Sequence, residues 1–210
     1  MISSQMDGET LLVPQAEFSI EEPWAIPPAC PIVALRRSTD GAQPRLRTDV
    51  AVYADAGYLN VVFSGQDDHV IATHLSHDAP LYEEDVVELF VSPLGNDVYF
   101  EIEINPLGST FDARITSPDG VRKTMRTELD WTCEDLFAAV RKTPRSLEVL
   151  MRFPFASLGV APPRRGDVWR GNLFRIDRGP RGDEFMAWSP TMKTPPDFHV
   201  MAAFGRLIFS

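Results

Sequence analysis

Carboxylates are densest between Glu83 and Asp112, where Glu83, Glu84, Asp85, Glu88, Glu101, Glu103 and Asp112 fall close together. Such side chains support three kinds of chemistry. A pair at the right separation hydrolyses a glycosidic bond as acid and base, and Glu88 with Glu103 is the pair to consider. A group of them binds a hard cation such as calcium through oxygen. They also accept hydrogen bonds from sugar hydroxyls. Acid pairs in β proteins bind water or cations far more often than they catalyse. Calcium is therefore a candidate cofactor, and the oxygen-rich run Gln66-Asp67-Asp68 is another place for it, although no spacing matches a defined calcium loop. The histidines are His69, His74, His77 and His199; His74 and His77 are three apart, but no compact cysteine or histidine set completes a zinc site. The chain has no GxSxG, Walker or GxGxxG motif.

The elements that must position these residues are strands. Tyr82 to Gly108 reads as two strands joined by a turn at Pro93, Gly95, Asn96 and Asp97. Val86 to Val91 is apolar nearly throughout, as in a strand covered on both faces, with Glu88 its one exception. The second strand alternates, with Val98, Phe100, Ile102 and Ile104 on one face and Tyr99, Glu101, Glu103 and Asn105 on the other. Further strand-like runs are Thr48 to Tyr53, Tyr58 to Ser64, Thr110 to Ile115, Phe137 to Lys142, Leu147 to Phe153, Val168 to Asp177, Glu184 to Trp188 and Arg206 to Phe209. Helical signal is confined to single turns at Pro154 to Leu158 and Asp78 to Glu84. Short strands at regular spacing, no repeat and no linker predict one all-β domain over 1–210, an antiparallel β-sandwich, with 1–15 disordered at its start. The connection from Asp67 to Asp85 is long enough to carry function.

Composition narrows the partners. A formal net charge of −10 argues against nucleic acid and against an anionic membrane surface. No run approaches the length of a membrane span. The start of the chain lacks a basic n-region and an apolar core, so the expectation is a cytoplasmic protein as written, or a secreted one if a leader was trimmed. Cys30 and Cys133 are too few for a disulfide framework and are read either as one bridge or as two buried thiols. Trp188 and Phe204 are expected in the core, and Trp24, Trp131 and Trp169 as packing residues. Phe198, on a proline-rich loop, offers a ring on which a sugar could stack.

The order of these pieces resembles the family 9 carbohydrate-binding module and its stand-alone, DOMON-like relatives. The resemblance rests on Tyr58-Leu59-Asn60-Val61, on Glu84 to Val91, on Tyr99 to Gly108, on Trp169 to Arg175, on Trp188-Ser189-Pro190, and on Phe198-His199 with Phe204 to Leu207. It covers roughly residues 45 to 210 and implies a DOMON-like β-sandwich without catalytic activity, with a carbohydrate as ligand. Members hold a sugar between two aromatic rings, and these positions fall on Tyr82 and Phe198. The acidic reader falls on Glu88, and an Arg-x-Asn pair falls on Glu103 and Asn105, so an acceptor stands where binding members have a donor. Glu88 and Glu103 then repel unless a cation, Arg175 or a sugar hydroxyl sits between them. Arg175 and His199 join the expected ligand-binding set. Binding members often carry calcium, whose ligands the resemblance does not assign here. Relatives of the sandwich also include haem-binding electron-transfer subunits, for which Met186, Met192, Met201 and His199 are conceivable axial ligands; core methionines and a loop histidine are the stronger reading.

Overall fold

A computed structural model describes residues 8–120 and 122–210. Among the described residues fourteen strands run in chain order: β1 Thr10–Val13, β2 Ile32–Ala34, β3 Arg36–Arg37, β4 Thr48–Ala54, β5 Tyr58–Gln66, β6 Val86–Ser92, β7 Val98–Ile104, β8 Thr110–Thr116, β9 Arg126–Glu128, β10 Phe137–Thr143, β11 Ser146–Pro154, β12 Val168–Asp177, β13 Glu184–Ala187 and β14 Gly205–Phe209. The expected single turns of helix appear as 3-10 turns at Leu81–Glu83 and Phe155–Leu158.

Two sheets form. The larger follows β1-β14-β12-β6-β7-β8-β9, with β13 paired to β12 beyond the end of β14 and β3 paired to β13. The smaller follows β10-β11-β5-β4-β2. All strand pairs are antiparallel except β1 with β14. The all-β sandwich expected from the strand pattern is thus what forms.

Alternation along the strands sorts apolar side chains into layers. Val50, Val52, Leu59, Val61, Phe63, Val149 and Met151 from the smaller sheet meet Val87, Leu89, Val91, Phe100, Ile102, Ile104 and Leu173 from the larger. The other face of the larger sheet is also buried, under Val86, Phe90, Tyr99, Phe111, Phe174, Ile176, Phe198 and Phe204. This double coverage is why β6 is apolar on both faces. On the smaller sheet, Cys30, Tyr53, Val62 and Leu150 are covered by Phe18, Trp24 and Ile26. Trp188 and Phe204 are buried as expected. Both cysteines are free and buried, one against Val52 and the other beside Asp112.

The beginning of the chain departs from expectation. Residues 1–7 lie outside the described residues, but Thr10–Val13 is a strand rather than part of a disordered tail. Leu11 and Val13 alternate into the inter-sheet core, and β1 pairs with β14 from Thr10↔Arg206 to Val13↔Phe209. An apolar alternation only four residues long is a weak signal until a partner edge is known.

Candidate functional site

One row of residues across the outer face of the larger sheet builds the site. Pairing places Phe174 opposite Glu88, Glu88 opposite Glu103, and Glu103 opposite Phe111. Two glutamates are thereby bracketed by two phenylalanines. Each phenylalanine supports a ring from a loop. Phe198 stacks on Phe174 with centroids 4.2 Å apart and planes 12° from parallel, and Tyr82 meets Phe111 edge-on at 6.3 Å. Between these rings opens a cavity of about 830 Å³, lined by Tyr82, Phe111, Glu88, Glu101, Arg122, Phe185, Phe198 and His199 together with the loop Lys193 to Asp197.

The loop carrying Tyr82 is pinned from behind. Asp85 accepts backbone N–H groups from Ile71 at 2.7 Å and Arg178 at 2.6 Å, and the Arg178 guanidinium donates to the Tyr82 carbonyl at 2.9 Å. Burial raises the Asp85 carboxyl to about 6 despite those donors. The Tyr82 ring itself remains 48% exposed. Phe198 differs: its ring is held by Phe174 on one side and by the edge of Phe185, and only 7% of the residue is exposed. Beside it, His199 Nδ1 shares a 2.7 Å hydrogen bond with the Tyr99 hydroxyl. Burial, then Arg122, pushes the His199 pKa down to about 4, so its imidazole is neutral at pH 7.

The floor is acidic. Glu88, Glu101 and Glu103 are all buried, with an oxygen of each within 4.8 Å of the others. Burial raises Glu101 to about 7 and raises Glu88 and Glu103 well above the ordinary carboxylate range; the neighbouring carboxylates add to the shift in Glu88 and Glu103. The Tyr82 amide and the Glu101 carboxyl approach Glu103 with opposing effects, yet neither Glu103 oxygen has a partner with hydrogen-bond geometry.

Of the residues expected in the site, Tyr82, Glu88, Phe198 and His199 line the cavity, and Glu103 lies directly beside Glu88. Asn105 sits past the end of β7 and closes the turn to β8: it donates to the His74 carbonyl at 2.8 Å and accepts from the Leu107 and Ser109 amides. Arg175 is the main departure. On β12 it shares the face of Leu173, so it points between the sheets and away from Glu88 and Glu103. There it donates to the Thr48 hydroxyl, the Gln66 carbonyl and Asp67, at 2.7 to 2.9 Å, and lies 3.6 Å from Asp177. Gly65 makes room for it: a Cβ there would stand 2.2 Å from Arg175 Nη1. Of the methionines considered with His199, Met186 lies in the inter-sheet core and Met192 is exposed, whereas Met201 packs on the outer cluster that His199 also contacts. Glu101 was legible as a member of the polar face of β7. Arg122 and Lys193 carried no sequence signal, because they come from a short 3-10 turn and a loop that the fold alone brings to the cavity, and Phe185, on the expected strand β13, was not singled out for the site.

The architecture defines a class of β-sandwich whose larger sheet carries a concave, aromatic-walled site outside the main core. This chain belongs to carbohydrate-binding family 9, whose family model matches residues 26–209. The class is one of non-catalytic carbohydrate-binding modules. Among solved structures, a candidate carbohydrate-binding protein from Bacteroides uniformis is similar at a TM-score of 0.73 and 20% identity, over 97% of this chain and 100% of that one. A family 9 carbohydrate-binding module from Caldicellulosiruptor kristjanssonii in complex with cellotriose is similar at a TM-score of 0.68 and 10% identity, over 96% of this chain and 94% of the other. The glucose complex of a family 9 module from the same organism gives 0.65 and 10% identity, over 96% of each chain. At such identities the likeness is one of fold. No curated protein matches the chain. Among the described residues no helix is long and apolar enough to cross a membrane.

Proposed function

We propose that the cavity between Tyr82 and Phe198 holds a sugar ring, with its apolar face against Tyr82 and its hydroxyls toward Glu88 and Glu101. The observation that carries this reading is the transverse row Phe174-Glu88-Glu103-Phe111, which sets hydrogen-bonding groups between two aromatic supports. Sugars present the matching pattern of apolar C–H faces edged by hydroxyls. A volume of about 830 Å³ lies in the range of small-ligand sites and accommodates more than one ring. Arg122 and the neutral His199 add donors to the acidic floor. Glucose and cellotriose, the ligands of the Caldicellulosiruptor modules, are the first sugars to try.

The same geometry supports binding rather than hydrolysis. Glu103 does not line the cavity, so it does not face Glu88 across an open cleft as an acid and base pair must. The test is a calorimetric titration of the full chain with glucose and cellotriose, repeated with Tyr82→Ala. Saturable heat that Tyr82→Ala abolishes supports the reading. A flat titration at millimolar sugar, extended across a broad glycan array, would remove it.

A further inference from the structure

The acidic floor lacks a partner of its own. Glu88 Oε1 and both oxygens of Glu103 are buried without any hydrogen-bond partner. Buried polar atoms in that state are rare, and each calls for an explanation such as an ion. Arg122 pairs with Asp197 and acts on Glu101 only through space, and Arg175 pairs with Asp67 and Asp177, so neither makes an ion pair with Glu88 or Glu103. The other buried acidic group, Asp67, Asp85 and Asp177, also has an oxygen without a hydrogen-bond partner, Asp177 Oδ2, but Arg175 and Arg45 form ion pairs within it and two backbone amides bond to Asp85.

We propose that Glu88, Glu101 and Glu103 form a binding site for a divalent, oxygen-preferring cation of calcium's size, at the floor of the cavity. The donor set is three carboxylates with no nitrogen or sulfur ligand, which selects hard cations. Calcium–oxygen bonds of about 2.3–2.6 Å let opposite ligand oxygens stand about 4.6–5.2 Å apart. One oxygen of each carboxylate lies within 4.8 Å of the others, close enough for the three to share a calcium ion. Magnesium, which keeps several waters and near-ideal octahedral geometry, is less suited to a buried set of protein carboxylates. Glu88 and Glu101 border the cavity, so the ion enters without opening the core.

Calcium takes about six to eight oxygens, more than three side chains supply in this arrangement. The remaining positions face the cavity and are filled by water or by neighbouring hydroxyls of a ligand. Only this last step rests on the sugar reading; the cation site does not depend on it.

The test uses the full chain, freed of metal with a chelator and held near pH 8, where protons compete least for the carboxylates. Calcium is titrated calorimetrically, with magnesium in parallel, on the wild type, Glu88→Gln, Glu103→Gln and Asp177→Asn; circular dichroism verifies that each variant is folded. The expected result is saturable calcium binding that is tighter than magnesium binding, weakened at least tenfold in both glutamine variants and retained in Asp177→Asn. Absence of calcium binding in the wild type at millimolar concentration overturns the proposal. So does binding that survives in folded Glu88→Gln and Glu103→Gln. Glucose and cellotriose titrations with and without calcium separate the two readings: sugar binding with no calcium binding leaves the sugar site and removes the cation, and calcium binding without sugar does the reverse.

Discussion

Glu88 and Glu103 stand directly opposite each other across β6 and β7, both almost wholly buried, with no arginine, lysine or histidine of the described residues paired to either. In the absence of metal this arrangement opposes ionisation. A carboxyl whose folded pKa lies above its unfolded value binds more protons folded than unfolded, so stability falls as pH rises between the two. For Glu101 that window runs from 4.5 to about 7, and Glu88 and Glu103 shift in the same direction. His199 works in the opposite sense between about 4 and 6.5, where its buried neutral ring makes stability rise with pH. The carboxylates are therefore isolated above about pH 6.5. Glu103→Gln removes one ionisable member, and in chelator it should stabilise the fold by about 1–3 kcal/mol near pH 8 with a smaller effect near pH 5. Thermal melts at several pH values measure this. Equal effects at both ends would contradict the assigned shifts.

The two aromatic walls should respond differently to truncation. Tyr82 is half exposed and touches Phe111 only by an edge, so Tyr82→Ala should leave the melting temperature within a few degrees while weakening sugar binding by about tenfold or more. Phe198 is packed against Phe174 and Phe185, and Phe198→Ala should cost about 3–5 kcal/mol of stability besides any loss of binding. Denaturant unfolding beside a binding titration distinguishes the two. A Phe198→Ala variant as stable as wild type would mean that its ring is not part of the outer core.

Arg175 fills the space that Gly65 leaves and ties the 66–67 segment to β12. Gly65→Ala should displace the guanidinium and destabilise the protein by about 2–4 kcal/mol, with no effect on the affinity of the molecules that remain folded. A melting curve unchanged from wild type would show that Arg175 yields without cost.

The thiol of Cys133 is buried and its pKa is raised to about 12, chiefly by burial. Cys30 is shifted in the same direction and its Sγ lies 3.2 Å from the Val52 carbonyl. Neither should react with a thiol reagent near pH 8 until the protein unfolds, when both react. Rapid labelling of the native protein would place one of them at the surface.

Most of this architecture was legible because strands announce themselves by alternation. The polar face of β7 was assigned correctly from Tyr99, Glu101 and Glu103 alone, and β6 from its apolar run. Arg175 was not. It was expected between Glu88 and Glu103 as a counter-charge, whereas it shares the parity of Trp169 and Leu173, which point into the core. The decisive fact, a carboxylate and a carbonyl waiting on the 66–67 segment of the other sheet, is a long-range one. Asn105 carried a similar ambiguity: an amide at the end of a strand serves a ligand or a turn equally well in one dimension, and here it serves the turn. Arg122 and Lys193 reach the cavity from a short 3-10 turn and a loop, where no periodicity exists to read.

The larger sheet is buried on both faces, but by unlike means. One face is sealed by a second sheet whose partners are fixed through many strands; the other is roofed by a few loop side chains. Substitutions on the roofed side disturb few long-range partners, so the lettering of that face can drift while the sandwich beneath it stays closed. Glu103 lies at the centre of that floor, buried and acidic, and the strands on either side of it stay paired.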